Sequence, residues 1–143
     1  MAKPNISKSI SNLLETYWTL DGDLARQNID FLADERETTK LNCPTILCVK
    51  GREYDHEEGL PKGVVTWVEH EIYATPMMPT EVSGATDKIW DMKREIQRIV
   101  RAYRTSASGI ERMWLAQRSP RTSDARDPYR GSEVVIICWW RET

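Results

Sequence analysis

Between residues 64 and 104 the apolar pattern of this chain changes period, and that change restricts the folds open to it. From Val64 to Ala74 the even positions Val64, Val68, Ile72 and Ala74 are apolar, while the odd positions include Glu69 and Glu71. This is the alternation of a strand with one covered face and one wetter face. After Pro76-Met77-Met78-Pro79 the period becomes 3.6. Ile89, Met92, Ile96, Ile99, Val100 and Tyr103 then share one stripe, which predicts a helix capped by Thr86 or Asp87, reaching about Arg104 and followed by Gly109.

The remaining segments fit around that pair. Apolar residues at Ile6, Ile10, Leu13, Leu14, Tyr17 and Trp18 predict an amphipathic helix from Ile6 to Leu20, capped by Asn5 or Ser7 and ended by Asp21-Gly22-Asp23. Residues 21–43 read as a meandering connection with at most a short helix or strand. Pro44 to Lys50 reads as a strand with proline at its start, and 51–63 as a long polar hairpin loop that projects. Ile110 to Gln117 and Glu133 to Arg141 read as two more strands, the last apolar on both faces as a central strand would be. Between them, 118–131 reads as a second long loop, with four arginines, Arg118, Arg121, Arg126 and Arg130. The expected architecture is a single α+β domain over residues 1–143: a four-stranded mixed or antiparallel sheet, two main helices packed on one face, and two long projecting loops.

Several function classes lack support. The longest apolar run, Val134 to Trp140, has seven residues, against about 20 for a membrane-spanning helix, so a soluble chain with no membrane partner is expected. The polar N-terminus has no apolar h-region, so no secretory signal is expected either. Cys43, Cys48 and Cys138 are odd in number and lie in apolar stretches, which suits small core filler in a reducing compartment better than a disulfide framework. His56 and His70 lack metal-ligand spacing, and there is no glycine-rich phosphate loop or nucleophile elbow. Glu69 and Glu71, with Asp55, Glu57 and Glu58 before them, are the one carboxylate group that could hold Mg²⁺ for phosphodiester cleavage. No lysine follows at a spacing that would position a nucleophilic water, and alternating Glu also describes the wet side of a sheet. No catalytic residue, cofactor or metal ligand is assigned.

Charge is more informative. Residues 1–85 carry 8 Lys/Arg against 14 Asp/Glu, whereas residues 86–143 carry 12 against 8, so a net charge of −2 conceals an acidic and a basic half. Such polarity suits subunits that meet head to tail. On the second helix Trp90, Lys93, Arg94, Gln97, Arg98, Arg101 and Arg104 project opposite the apolar stripe. That face reads as a nucleic-acid surface, as solvated polar surface, or as a subunit interface. Six tryptophans against one phenylalanine, with Trp139 and Trp140 obliged to face opposite ways in a strand, favour the interface.

An early helix, a proline-led strand, a long hairpin, a helix containing Ile89-Trp90-Asp91-Met92-Lys93-Arg94-Glu95-Ile96-Gln97-Arg98-Ile99-Val100, then a strand, an Arg/Asp loop and an apolar final strand resemble the tail terminator proteins of long-tailed phages and tailed archaeal viruses. The resemblance covers roughly residues 6–141 and rests on layout more than on invariant residues. It implies a structural virion protein, assembled in the host cytoplasm, forming a hexameric ring on the head-proximal end of the tail tube. Its implied partners are other copies of itself, the tail tube protein and the head-completion proteins of the neck, with double-stranded DNA passing through the lumen without sequence readout. The implied contact residues are Trp90, Arg94, Arg98 and Arg101 on the helix, Arg118, Arg121, Arg126 and Arg130 in one loop, and Tyr54, Asp55, Glu57 and Glu58 in the other. A head-tail adaptor or stopper, and a nucleic-acid-binding or metal-dependent nuclease domain, are the alternatives.

Overall fold

The computed structural model describes residues 5–34, 44–60, 63–79, 83–116 and 129–142. Helix α1 (Ile6–Thr16) starts where the Asn5 side-chain oxygen accepts from the Lys8 N–H at 3.3 Å, which satisfies one of the first-turn donors. It stops at Thr16 rather than near Leu20. Trp18 turns inward instead, its indole N–H donating to the Leu24 carbonyl at 2.7 Å, and two 3-10 turns, Gly22–Leu24 and Arg26–Asn28, carry the chain onward.

Strand β1 (Asp30–Ala33) then pairs in parallel with β2 (Thr45–Leu60). β2 pairs antiparallel with β3 (Gly63–Pro79), and the register runs out to Leu60 against Gly63. The segment expected to be a long hairpin loop is therefore strand-paired ribbon. Helix α2 (Ala85–Ala102) follows, then β4 (Arg112–Leu115), β5 (Tyr129–Gly131) and β6 (Val134–Glu142). The sheet is ordered β1-β2-β3-β6-β4, with β5 beside the far end of β3. It is mixed, and it exceeds the expected four strands by the short pieces β1 and β5. Both have too few residues to establish a period.

Directly opposed residues share a sheet face. Cys48, Ala74 and Val134 form one such row, Ile72, Ile136 and Leu115 another, His70, Cys138 and Met113 a third. The inner-face members Ile46, Cys48, Val68, Ile72, Ala74, Ile136, Cys138 and Trp140 join one buried cluster with the helix stripes Ile6, Ile10, Leu13, Leu14 and Ile89, Met92, Ile96, Ile99, Val100. Both helices thus cover the same face, as expected, and each such large apolar side chain contributes about 1.5–3 kcal/mol by burial. Burial also pushes the Cys48 thiol up to about 12, with Asp34 adding to the rise, and raises Cys138 in the same direction. Both act as small apolar filler.

Two details of the helix starts depart from expectation or add to it. Helix α2 begins after Gly84, whose φ of 72° is left-handed and which offers no side-chain cap. Thr86 and Asp87 lie inside the first turn, where the Asp87 carboxylate suits the helix dipole. At α1, the buried Ser7 hydroxyl donates to the Asp34 carboxylate at 2.5 Å, while the Asp34 N–H extends the parallel ladder to the Cys48 carbonyl at 2.8 Å. Asp34 has a φ of 65°, a conformation that Asp tolerates better than most residues, and it ties the end of β1 to the start of α1.

Ile96 is fully buried under the sheet. Ile96→Asp places an unpaired charge there and abolishes the cooperative thermal transition seen by circular dichroism, whereas Ile96→Val costs about 0.5–1.5 kcal/mol and keeps it.

Candidate interaction surfaces

Strand β3 is paired with β6 only from Thr66 to Ala74, and β2 with β1 only from Thr45 to Cys48. From Val49 to Glu57 β2 is therefore the edge of the sheet, paired with the stretch of β3 that β6 flanks, and only Glu58–Leu60 and Gly63–Val65 run on past β6 as a two-stranded tip. The β2–β3 register is irregular between Lys50 and Glu53. A Cβ at Gly51 would come within 2.6 Å of the Tyr73 ring, so the ring lies on the backbone there, and its hydroxyl donates to Glu71 at 2.8 Å. Residues 52–56 are exposed. Glu53 and Asp55 alternate with Tyr54 and His56 along β2, Tyr54 retaining 41% of its surface and hydrogen-bonding Arg52. Glu57 and Glu58 lie further out on the same strand.

Aromatics gather on the sheet face that the helices leave bare. His56 stacks on Trp139 with centroids 5.3 Å apart and planes 6° from parallel. Trp67 and Trp114 tilt against the same indole at 6.0 and 5.9 Å. The Trp139 N–H donates to Glu69 at 3.1 Å, and Arg141 sits over the Trp67 ring at 4.7 Å. Four strands, β2, β3, β4 and β6, each contribute one ring. A shallow cleft of about 530 Å³ remains between Trp67, Glu111, Arg112, Trp114 and Trp139. The sequence reading anticipated that Trp139 and Trp140 would part, and Trp140 does enter the core. It missed Trp67 and Trp114, whose signal was strand parity: each stands on the face opposite its strand's buried residues.

On α2 the residues expected to face outward do so, and one of them is also tied into the molecule. Trp90 keeps 53% of its surface, with the Lys93 ammonium 5.1 Å from its ring centroid, and Arg94, Arg101 and Arg104 are exposed. Arg98 is committed elsewhere. Its guanidinium donates to Glu95 at 2.6 and 3.2 Å and to the Tyr17 carbonyl at 2.9 Å. Glu95, 5% exposed, also accepts from the Thr19 N–H and hydroxyl at 2.6 and 2.7 Å. This carboxylate joins α2 to the exit of α1, where Arg26 donates to the Thr16 and Trp18 carbonyls at 3.0 and 3.3 Å and Tyr17 stacks on Tyr103 at 3.7 Å. Arg98 thus braces the two helices while its side chain stays 43% exposed.

Of the four loop arginines, Arg118, Arg121 and Arg126 lie outside the described residues, and Arg130 falls in β5, its backbone opposite Met78. Glu69 and Glu71 each accept from an aromatic donor on the bare face, Trp139 and Tyr73. Among the described residues no group of three or more His, Cys, Asp or Glu is placed to hold a metal ion, and no described helix is long and apolar enough to cross a membrane. No protein-family model matches the chain, and no curated protein matches it in sequence.

Burial alone would raise the Glu95 carboxyl, but the hydrogen bonds from Arg98 and Thr19 outweigh it and hold the group below its ordinary value. The stabilisation is complete above the carboxyl's unfolded value and is lost as pH falls through the folded one. Glu95→Gln loses about 1–3 kcal/mol at neutral pH, and its urea midpoint falls less than that of the parent chain between pH 6 and pH 3.

Proposed function

We propose that this protein is a structural component of a viral tail, a terminator that forms a ring on the head-proximal end of the tail tube, ends its polymerisation and receives the neck. What supports the reading is the layout together with a body whose two sheet faces differ. Two helices seal one face, His56, Trp67, Trp114 and Trp139 cluster on the other, and the β2–β3 hairpin runs a few residues past the end of β6. The element order, helix, strand, long hairpin, helix, strands, is that of the layout on which the resemblance rests. Such a molecule acts by presenting shaped surfaces to neighbours, and a ring needs two different patches per subunit, because a head-to-tail contact closes on itself by rotation.

The experiment is tube assembly with and without the protein. Tail tube protein polymerised alone gives tubes of unrestricted length, and adding this chain yields shorter tubes with a ring of density at one end in electron micrographs. Tubes whose lengths do not respond to the protein overturn the terminator reading. Tails of normal length that fail to join heads when the protein is missing assign it instead to the adaptor or stopper class.

A further inference from the structure

The charges on the outward stripe of α2 follow an order. Asp87, Asp91, Arg94 and Arg98 succeed one another at spacings of four, three and four, the spacing of a seam along which two helices pack, and all four are exposed. Carboxylates occupy the first half of the seam and guanidiniums the second. The arrangement is antisymmetric about the midpoint between Met92 and Lys93: Asp91 mirrors Arg94, and Asp87 mirrors Arg98. Trp90, which keeps 53% of its surface, stands beside that midpoint. From this order we infer that the outward face of α2 binds the same face of a second copy, the two helices antiparallel about a two-fold axis at the midpoint. Asp91 of each copy then faces Arg94 of the other, Asp87 faces Arg98, and the two Trp90 indoles meet beside the axis.

The occupant is a second copy because the seam is its own complement. A two-fold axis brings each position of one helix to the level of its mirror position on the other, so the four central charges, two Asp91 and two Arg94, form a square whose adjacent corners always differ in sign. A polyanion such as nucleic acid would meet the same two arginines but also Asp87 and Asp91, which repel it. Among the described residues the side chains of Asp87, Asp91 and Arg94 make no ion pair or hydrogen bond within the chain. The neighbouring charges are engaged, Lys88 with Asp23, Lys93 with the Trp90 ring and Ser132, Glu95 with Thr19 and Arg98. Arg98 keeps 43% of its side chain exposed while it holds Glu95 and the Tyr17 carbonyl, so it serves both sides. Arg101 mirrors Gly84, which precedes the helix, and meets no opposing cation. At 1.5 Å per residue the two Trp90 side chains start about 7.5 Å apart along the helix direction, on the same side of the seam and within reach of each other. The contact saturates at two copies, so it stands apart from the terminator reading, in which head-to-tail contacts close a ring.

The test is sedimentation of the full chain at low salt and high concentration, with circular dichroism as the control for folding. The parent forms a two-copy species that added salt dissociates, since exposed ion pairs are screened beyond about 10 Å at 0.1 M. Asp91→Arg and Arg94→Asp each turn two opposite-sign contacts into two like-sign ones and weaken the dimer at least about tenfold. Both positions are exposed, so each variant keeps the parent's thermal transition. An equal mixture of the two variants recovers the dimer, because the mixed pair again joins opposite signs at both central contacts. A chain carrying both substitutions pairs with itself and no longer with the parent, and Trp90→Ala weakens the parent dimer by a similar factor. A parent that stays monomeric at low salt, single reversals without effect, a mixture that fails to recover, or growth past two copies through these positions each overturn the interface. The outcome is separable from the tube assay: a parent that shortens tubes yet never dimerises loses this interface alone, and one that dimerises as described without shortening tubes loses the terminator reading alone.

Discussion

The pairing of β3 along both edges sets the position of nearly everything else in this molecule. From Thr66 to Ala74 it is bonded to β2 on one side and to β6 on the other, so its backbone groups are satisfied within the sheet. Its side chains alternate between two very different environments. Val68, Ile72 and Ala74 face the helices and are fully buried. Trp67, Glu69 and Tyr73 face the side without helices, where they find partners in Trp139, Glu71 and Arg141. A slip of one residue in either pairing would exchange those sets and place Glu69 beneath α2. The buried face therefore fixes the register, and the register in turn aligns the rings on the opposite face.

The bare face is a small second core rather than an open platform. The ring of Trp139 is covered by His56 and flanked by Trp67 and Trp114, and its N–H is taken by Glu69. Aromatic pairs of this kind add about 0.5–1.5 kcal/mol each beyond burial. The four rings come from β2, β3, β6 and β4, so they bind the edge strand β2 to the rest of the sheet across one face. The close seat of Tyr73 on Gly51, beside the irregularity in the β2–β3 register, serves the same end: a side chain at position 51 would push the ring off the strand that it braces.

How far all this was legible beforehand follows from the length scale of each signal. Both helices and the inner face of β3 come from patterns that repeat over ten or more residues, and they are read from periodicity directly. Strand β1 consists of Asp30–Ala33 and owes its existence to the edge offered by β2, a tertiary circumstance that four residues cannot encode. The outer part of β2 looked like loop because Glu53, Asp55, Glu57 and Glu58 depress strand propensity, yet cross-strand pairing with β3 overrides it. The hidden role of Glu95 was the hardest to see. Within an Asp/Lys/Arg/Glu-rich stretch nothing marks one carboxylate as buried, because Thr19, which donates to it, and Tyr17, whose carbonyl accepts from Arg98, lie more than seventy positions away in sequence.

Helix α2 shows how one cationic stretch can serve the inside and the outside of a molecule at once. Arg98 and Arg94 are separated by about one turn, and both project from the same helix. Arg98 reaches the buried Glu95 and the Tyr17 carbonyl just past α1, so removing its charge would strand a carboxylate inside the protein. Arg94 and Arg101 stand where solvent screens them, and a lone exposed charge there contributes little to folding. The half-exposed indole of Trp90 beside them lies under the Lys93 ammonium, a contact of about 0.5–1 kcal/mol at an exposed site. The two sides of one helix thus differ in what they hold: the Glu95 side joins α2 to the exit of α1, and the Trp90 side contributes little to the fold.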